Sequence, residues 1–250
     1  MLLHLQAWPD VERYLARSQG IIIPIGSTEQ HGPNGLIGTD AICAEALAKA
    51  VGEQVEGLVA PTISVGMAQH HLGFPGSMTL RPSTLIALLR DWVASLARHG
   101  FRRFYFINGH GGNVATVQAA FSEIYADSSL AAAGNTPDLK CRLRNWWQAE
   151  GIGALSRELY GAAEGSHATP SEVSLTWHVH PEAARPMRLD PEIAPSGDFT
   201  DAADYRRNFP DGRIGSNPGL ATIEAGKRIM EVAVAGLAED YRRWMAQATA

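Results

Sequence analysis

The chain is 250 residues long, with 45% hydrophobic and 19% charged side chains, and 21 basic residues against 26 acidic ones leave a net charge of −5. That balance excludes the basic face or stripe of a nucleic-acid protein, and no apolar run approaches the roughly 20 residues that span a bilayer. The first residues, Met1 to Asp10, carry neither a charged n-region nor a long apolar h-region, so no secretory signal is expected. Two cysteines, Cys43 and Cys141, make no disulfide framework and point to a reducing cytoplasm.

Taken in chain order, Ile21-Ile-Ile-Pro-Ile25 is a short apolar run suited to a strand buried on both faces. A glycine-rich loop leads to Thr39 or Asp40, either of which suits the N-cap of a helix carrying Ile42, Ala46, Leu47, Ala50 and Val51. Gly57 to Ala60 reads as a second strand, and Met67 to Gly76 as a long loop. Arg81-Pro-Ser83 opens a helix whose Leu85, Leu89, Val93 and Leu96 stripe ends at Gly100. Phe104 to Ile107 is a third strand, followed by Asn108-Gly-His-Gly-Gly-Asn113 and a helix from Val114 to about Tyr125. Ser128 to Pro137 reads as a surface loop and Leu139 to Asn145 as a fourth strand. Ser171 to His178 and Leu220 to about Met245 read as helices, with an irregular Pro/Gly/Asp-rich stretch from Pro186 to Pro218 between them. The alternation predicts one α/β domain over residues 1–250, a three-layer α/β/α arrangement on a mostly parallel central sheet.

In such sheets ligands gather at the carboxyl ends of the strands, and two histidine-bearing, glycine-rich segments follow predicted strands directly. Glu29 and His31 are two apart, so in extended backbone they point the same way. Asp40 can be brought back towards them by the loop. Glu, His and Asp together are a ligand set for zinc, manganese or iron, although the same residues also suit ordinary loop positions with Asp40 capping its helix. The loop at His110 admits a phosphate cradle at a helix N-terminus as its rival use, but it has neither a dinucleotide nor a P-loop fingerprint. A third segment, Glu164-Gly-Ser-His167-Ala-Thr-Pro-Ser-Glu172, leaves His167 in a loop ahead of a helix that Ser171 can cap. Glu172 then lies in the first turn, where the dipole favours a carboxylate.

Pro24-Ile-Gly-Ser-Thr-Glu29-Gln-His31-Gly-Pro, Thr39-Asp40, Phe74-Pro-Gly-Ser77, Asn108-Gly-His110-Gly-Gly-Asn113 and His167…Glu172-Val-Ser174 follow one another in the order and near the spacings of the creatininase family, which the chain resembles over most of its length. The resemblance implies a hydrolase of carbon–nitrogen bonds with two divalent metal ions per chain, which share and acidify a water. It assigns Glu29, Asp40 and His110 to one ion, His31 and Asp40 to the other, and general acid–base work to His167. In creatininase proper the second ion's carboxylate comes from a loop Asn-Gly-His-Tyr-Glu-Asn. Here Gly111 and Gly112 replace the tyrosine and glutamate, and Glu172, aligned with the family's Glu-Thr-Ser, is the candidate substitute. That replacement argues against creatinine as substrate and towards relatives acting on formamides, on a precursor peptide or on an inosose. The resemblance further implies a small-molecule substrate and a homo-oligomer, with hexamers known in the family. The rival function is a non-catalytic or nucleotide-binding protein using the glycine loop after Phe104–Ile107. His70-His71 divide evenly between substrate contact and surface loop. His178 and His180 read as structural, His4 and His99 as solvent-facing, and Trp146-Trp147 as pocket wall or core.

Overall fold

The computed structural model describes residues 1–131 and 137–247. Four strands, β1 (Gly20–Ile25), β2 (Leu58–Val59), β3 (Arg103–Asn108) and β4 (Lys140–Asn145), form a sheet in the order β2-β1-β3-β4. Every pairing is parallel, with Ile22 opposite Val59 and Tyr105, and Tyr105 opposite Arg142. Parallel strands need crossovers, supplied here by the second, third and fourth of the eight described helices. The eight are α1 (Trp8–Leu15), α2 (Thr39–Gln54), α3 (Pro82–Arg98), α4 (Asn113–Leu130), α5 (Ile152–Tyr160), α6 (Pro170–Val179), α7 (Ala202–Asn208) and α8 (Ile223–Ala246).

Alternation along the strands divides the core in two. Ile21, Ile23, Ile25, Phe104 and Phe106 pack with Tyr14 of α1, with Leu85, Leu89 and Val93 of α3, and with Val117, Phe121 and Ile124 of α4. Ile22, Tyr105 and Ile107 face the other way, onto Leu47 and Val51 of α2, Ile152 and Leu155 of α5, Leu175 of α6, and Ile229 and Leu237 of α8. The expected three-layer α/β/α fold is therefore present, with the sheet wholly parallel.

Several boundaries differ from expectation for identifiable reasons. β2 stops at Val59 because Pro24, midway along β1, has no N–H to offer on that side; its carbonyl accepts from Ile63 N instead (3.0 Å). α8 starts at Ile223, where Thr222 accepts from Ala225 N (3.1 Å), and Leu220 belongs to a preceding 3-10 turn. α4 runs on to Leu130, into the expected loop Ser128–Pro137, whose residues 132–136 lie outside the described residues. α1, α5 and α7 were not anticipated, and α7 lies within the stretch read as irregular. No described helix is long and apolar enough to cross a membrane, and both cysteines are free thiols.

Candidate metal centre

The carboxyl ends of β1 and β3 open onto the predicted segments. Glu29 and His31 follow β1, Asp40 is the second residue of α2, His110 follows β3, and Glu172 lies in the first turn of α6 with His167 in the loop before it. Gly38, not Thr39 or Asp40, occupies the N-cap of α2, and no side chain bonds there. Asp40 is thus released from capping, and its carboxylate turns to histidines on both sides. Oδ1 lies 3.1 Å from His31 Nε2, and Oδ2 lies 3.2 Å from His110 Nδ1. His110 reaches this position because its loop presses on α2: a Cβ at Gly109 would stand 2.1 Å from the Asp40 backbone oxygen, so only glycine fits.

Each predicted histidine is anchored by its outer nitrogen and offers the inner one. His31 Nδ1–H donates to the Glu29 carbonyl (3.1 Å), and His110 Nε2–H donates to the Met67 carbonyl (2.9 Å). For His167, Nε2–H donates to the Gln30 carbonyl (3.0 Å), which leaves Nδ1 as a bare lone pair 3.9 Å from Glu29 Oε1. Such backbone ties fix tautomer and ring orientation in metal sites. Glu29 is held by Ser27 Oγ, which donates to Oε2 (2.9 Å), while Oε1 faces His71 Nε2 at 3.1 Å and His110 Nδ1 at 3.3 Å.

Three groups result whose ligand atoms lie within 4.8 Å of one another: Glu29–Asp40–His110, His31–Asp40–Glu172 and Glu29–His31–His167. The first two share Asp40. Glu29 Oε1 and Asp40 Oδ2 are buried and meet only histidine nitrogens, at 3.1–3.3 Å, an arrangement costly in a protein unless protons on those rings or a cation satisfy the oxygens. Carboxylate oxygens and imidazole nitrogens aimed at one another in a buried cluster fit divalent cations of the zinc, manganese or iron type.

Electrostatics show how strongly these groups are coupled. Burial opposes charge on His31, but the carboxylates of Asp40 and Glu172 outweigh it and raise the imidazole to about 10. His110 rises likewise to about 9, burial being overcome by Glu29 and Asp40. Burial would raise Asp40 too, yet His31 and His110 hold it well below the usual carboxylate range. Glu29 is also lowered, as His110 and His71 override its burial. Glu172 goes the other way, to about 7, because burial exceeds the pull of His31. Burial and the neighbouring His71, His31 and His110 keep His167 neutral, well below its ordinary value.

Glu172 resolves two readings that sequence alone sets against each other. Thr169, not Ser171, caps α6: its Oγ1 accepts from Glu172 N (3.2 Å), and its backbone N donates to Glu172 Oε1 (2.6 Å). This is a reciprocal capping box, while the other carboxylate oxygen, Oε2, stands 3.9 Å from His31 Nε2. Ser171 donates instead to Glu164.

Two participants went unrecognised. His71 is 1% exposed, so it is not a surface residue, and its neighbour His70 is also buried. Gln30 is a hub, donating through Nε2 to the Gly212 carbonyl and to His71 Nδ1 (2.9 Å each) while Oε1 accepts from Gly32 N (2.8 Å). With Nδ1 accepting from Gln30, His71 turns an Nε2–H towards Glu29. The doublet His70-His71 ahead of Phe74-Pro-Gly was the available signal for His71; nothing local marked Gln30. His4 and His99 are exposed, and His180 pairs with Glu182 at 3.3 Å. Trp146 is core, and both Trp146 and Trp147 line a cavity of about 420 Å³ that reaches Asp40, His110 and Glu172. A second cavity, of about 410 Å³, meets the site at His71, His110 and His167. The His110 loop makes a poor phosphate cradle, because the amides of His110, Asn113 and Val114 already bond to Asn108 Oδ1 and to the loop's own carbonyls.

Comparison with known proteins gives the family. A family model described as creatinine amidohydrolase matches residues 4–241. A mycofactocin precursor peptide peptidase of Mycobacterium ulcerans is 30% identical over 239 residues, covering 90% of this chain and 85% of that one. A creatinine amidohydrolase of Pseudomonas putida is 29% identical over 250 residues, covering 94% of each. A solved manganese form of creatininase superposes with a TM-score of 0.84 at 26% identity, over 98% of both chains. The chain belongs to the creatininase family and is a metal-dependent amidohydrolase.

Proposed function

We propose that the chain hydrolyses the C–N bond of a cyclic amide, formamide or related small amide with two divalent ions per chain. Glu29, Asp40 and His110 hold one ion; His31, Asp40 and Glu172 hold the other. The observation that carries the reading is Asp40, whose two oxygens face the two ligand groups from the start of one helix. When bound, the ions supply Lewis-acid polarisation of the amide carbonyl and lower the pKa of water towards neutrality.

The protein's own groups do the rest. His167, whose Nε2–H is held by the Gln30 carbonyl and whose Nδ1 burial keeps unprotonated, takes the proton from the attacking water at Nδ1 and returns it to the departing nitrogen. His71 steadies Glu29 from the opposite side. His110, Gly111 and His167 border both cavities, so the acyl and amine portions of a substrate have separate room. The Glu29–His31–His167 group supports a second role for His167, as a ligand, and the variants below separate the two.

The test is elemental analysis followed by a metal-supplemented screen of lactams, other cyclic amides and formamides. Two ions per chain, with turnover abolished by alanine at Glu29 or His110, bear the proposal out. Absence of metal, with stabilisation by nucleotides, would hand the site to the rival nucleotide-binding reading; metal without turnover on any amide would leave only a scaffold. The reading includes a cytoplasmic homo-oligomer acting on a small molecule, supported by the two free thiols and by family kinship.

A further inference from the structure

The cavity that reaches Asp40, His110 and Glu172 is also lined by Trp146, Trp147 and Arg157. The two indoles meet edge to face with centroids 6.3 Å apart. Arg157, in the last turn of α5, is exposed, and its guanidinium makes no ion pair or hydrogen bond among the described residues. Its acidic neighbour Glu158 is taken by Arg228 (2.8 Å). The cavity's other ionisable groups are Asp40, Glu164, Glu172, His110 and His167. Asp40, Glu172 and His110 belong to the proposed metal centre, His167 is neutral, and Glu164 accepts from Ser171 with its carboxyl pushed up by burial. One uncompensated cation therefore stands in a cavity walled by aromatic rings and continuous with the reacting groups.

We propose that Arg157 receives a carboxylate of the substrate, so that the enzyme's substrates are amides bearing a carboxylate group away from the scissile bond. The proposal rests on the amidohydrolase reading of the adjacent centre. A guanidinium fork matches a carboxylate with two parallel hydrogen bonds, a geometry that a point charge does not offer. The tryptophans supply an apolar wall for the segment between carboxylate and amide.

The experiment uses amides of matched size in which a second carboxamide replaces the carboxylate, succinamate against succinamide and glutaramate against glutaramide, with initial rates counted per scissile amide because each diamide has two. Both pairs are given to the metal-loaded wild type and to R157Q, R157K and R188Q, the last removing an exposed arginine outside this cavity. The wild type is expected to favour the charged member in kcat/KM. R157Q cuts that preference about fivefold at most, chiefly through KM, as loss of an exposed charge pair predicts; R157K restores part of it and R188Q leaves it intact. Calorimetric titration of the same amides reads the preference without turnover. If the wild type hydrolyses none of the four, turnover on the lactam and formamide screen decides the amidohydrolase reading, while the titration still decides the role of Arg157. A charged-over-neutral preference that is absent from both readouts, or that survives unchanged in R157Q, overturns the proposal.

Discussion

Substituting Glu172 by glutamine and by alanine separates its two oxygens. Oε1 accepts from Thr169 N at 2.6 Å and completes the cap of α6, while Oε2 faces His31 at 3.9 Å. Glutamine keeps a carbonyl oxygen for the cap but offers no anionic ligand. Because burial already pushes Glu172 up to about 7, the metal-free protein near neutral pH loses little charge in E172Q. Its stability should stay within about 0.5 kcal/mol of wild type, the range of substitutions that spare such features. E172A removes the cap bond as well and should cost about 1 kcal/mol, or roughly 2–4 °C in a chain of this size. With metal the order changes. Each bound ion stabilises by about 2.7 kcal/mol at 100 times its dissociation constant, and both variants should forgo one such increment and retain a single ion by elemental analysis. The assay is thermal unfolding with and without chelator, paired with metal counts. Two ions held by E172Q at wild-type affinity would remove Glu172 from the ligand set; chelated E172Q falling as far as E172A would refute the capping role of Oε1.

H167A should lose about 10²- to 10⁴-fold in turnover with metal content unchanged; loss of metal instead would make His167 a ligand of the Glu29–His31–His167 group. The two glycines after His110 should respond oppositely. A Cβ at Gly111 meets nothing within 4 Å, so G111Y should unfold within about 0.5 kcal/mol of wild type. A Cβ at Gly112 would stand 2.6 Å from the Met67 backbone oxygen, so G112E should cost about 1–3 kcal/mol without raising metal affinity. For pH, His31 at about 10 and His110 at about 9 lie above the unfolded value of about 6.5. Their contribution in metal-free protein is complete below that value and is lost as pH rises through 9 and 10; the raised Glu172 acts in the same direction near 7. Chelated protein should therefore melt at progressively lower temperature from pH 7 to 10 and release protons on metal binding at pH 7.5, measured calorimetrically in two buffers. A melting temperature that climbs over this interval would contradict the assignment.

Sequence reading succeeded where chemistry and spacing coincide. Ile21–Ile25 and Phe104–Ile107 are apolar throughout because they are covered on both faces, and the loops after them must open at the same sheet edge. Hence Glu29, His31, Asp40, His110, His167 and Glu172 all converge there. What escaped was set by tertiary structure. Gln30 organises His71 through contact with the Gly212 carbonyl, 182 residues away, a partnership no local pattern carries. α5 was hidden by the glycines Gly151, Gly153 and Gly161 around its apolar Ile152, Leu155 and Tyr160, and α7, with seven residues, is too short to show a period. The cap of α6 fell to Thr169 because Pro170 takes the first helical position, leaving Ser171 inside the helix.

The placement of the second carboxylate follows from how His110 is held. The Met67 carbonyl accepts His110 Nε2–H and so turns Nδ1 towards Glu29 and Asp40. That same oxygen, 2.6 Å from where a Cβ of residue 112 would be, excludes any side chain there. Glutamate at 112 and this anchoring of His110 are therefore incompatible without moving Met67. A carboxylate for the group at His31 must come from another element, and the first turn of α6 delivers one, its Oε1 already fixed by the capping box and its Oε2 free to face His31. The inward-facing nitrogens of His31, His110 and His167 are thus set by the backbone carbonyls of Glu29, Met67 and Gln30, and that of His71 by the Gln30 side-chain amide, rather than by a ligand. The geometry is built before any cation arrives, and protons on His31 and His110 balance the buried carboxylates until then.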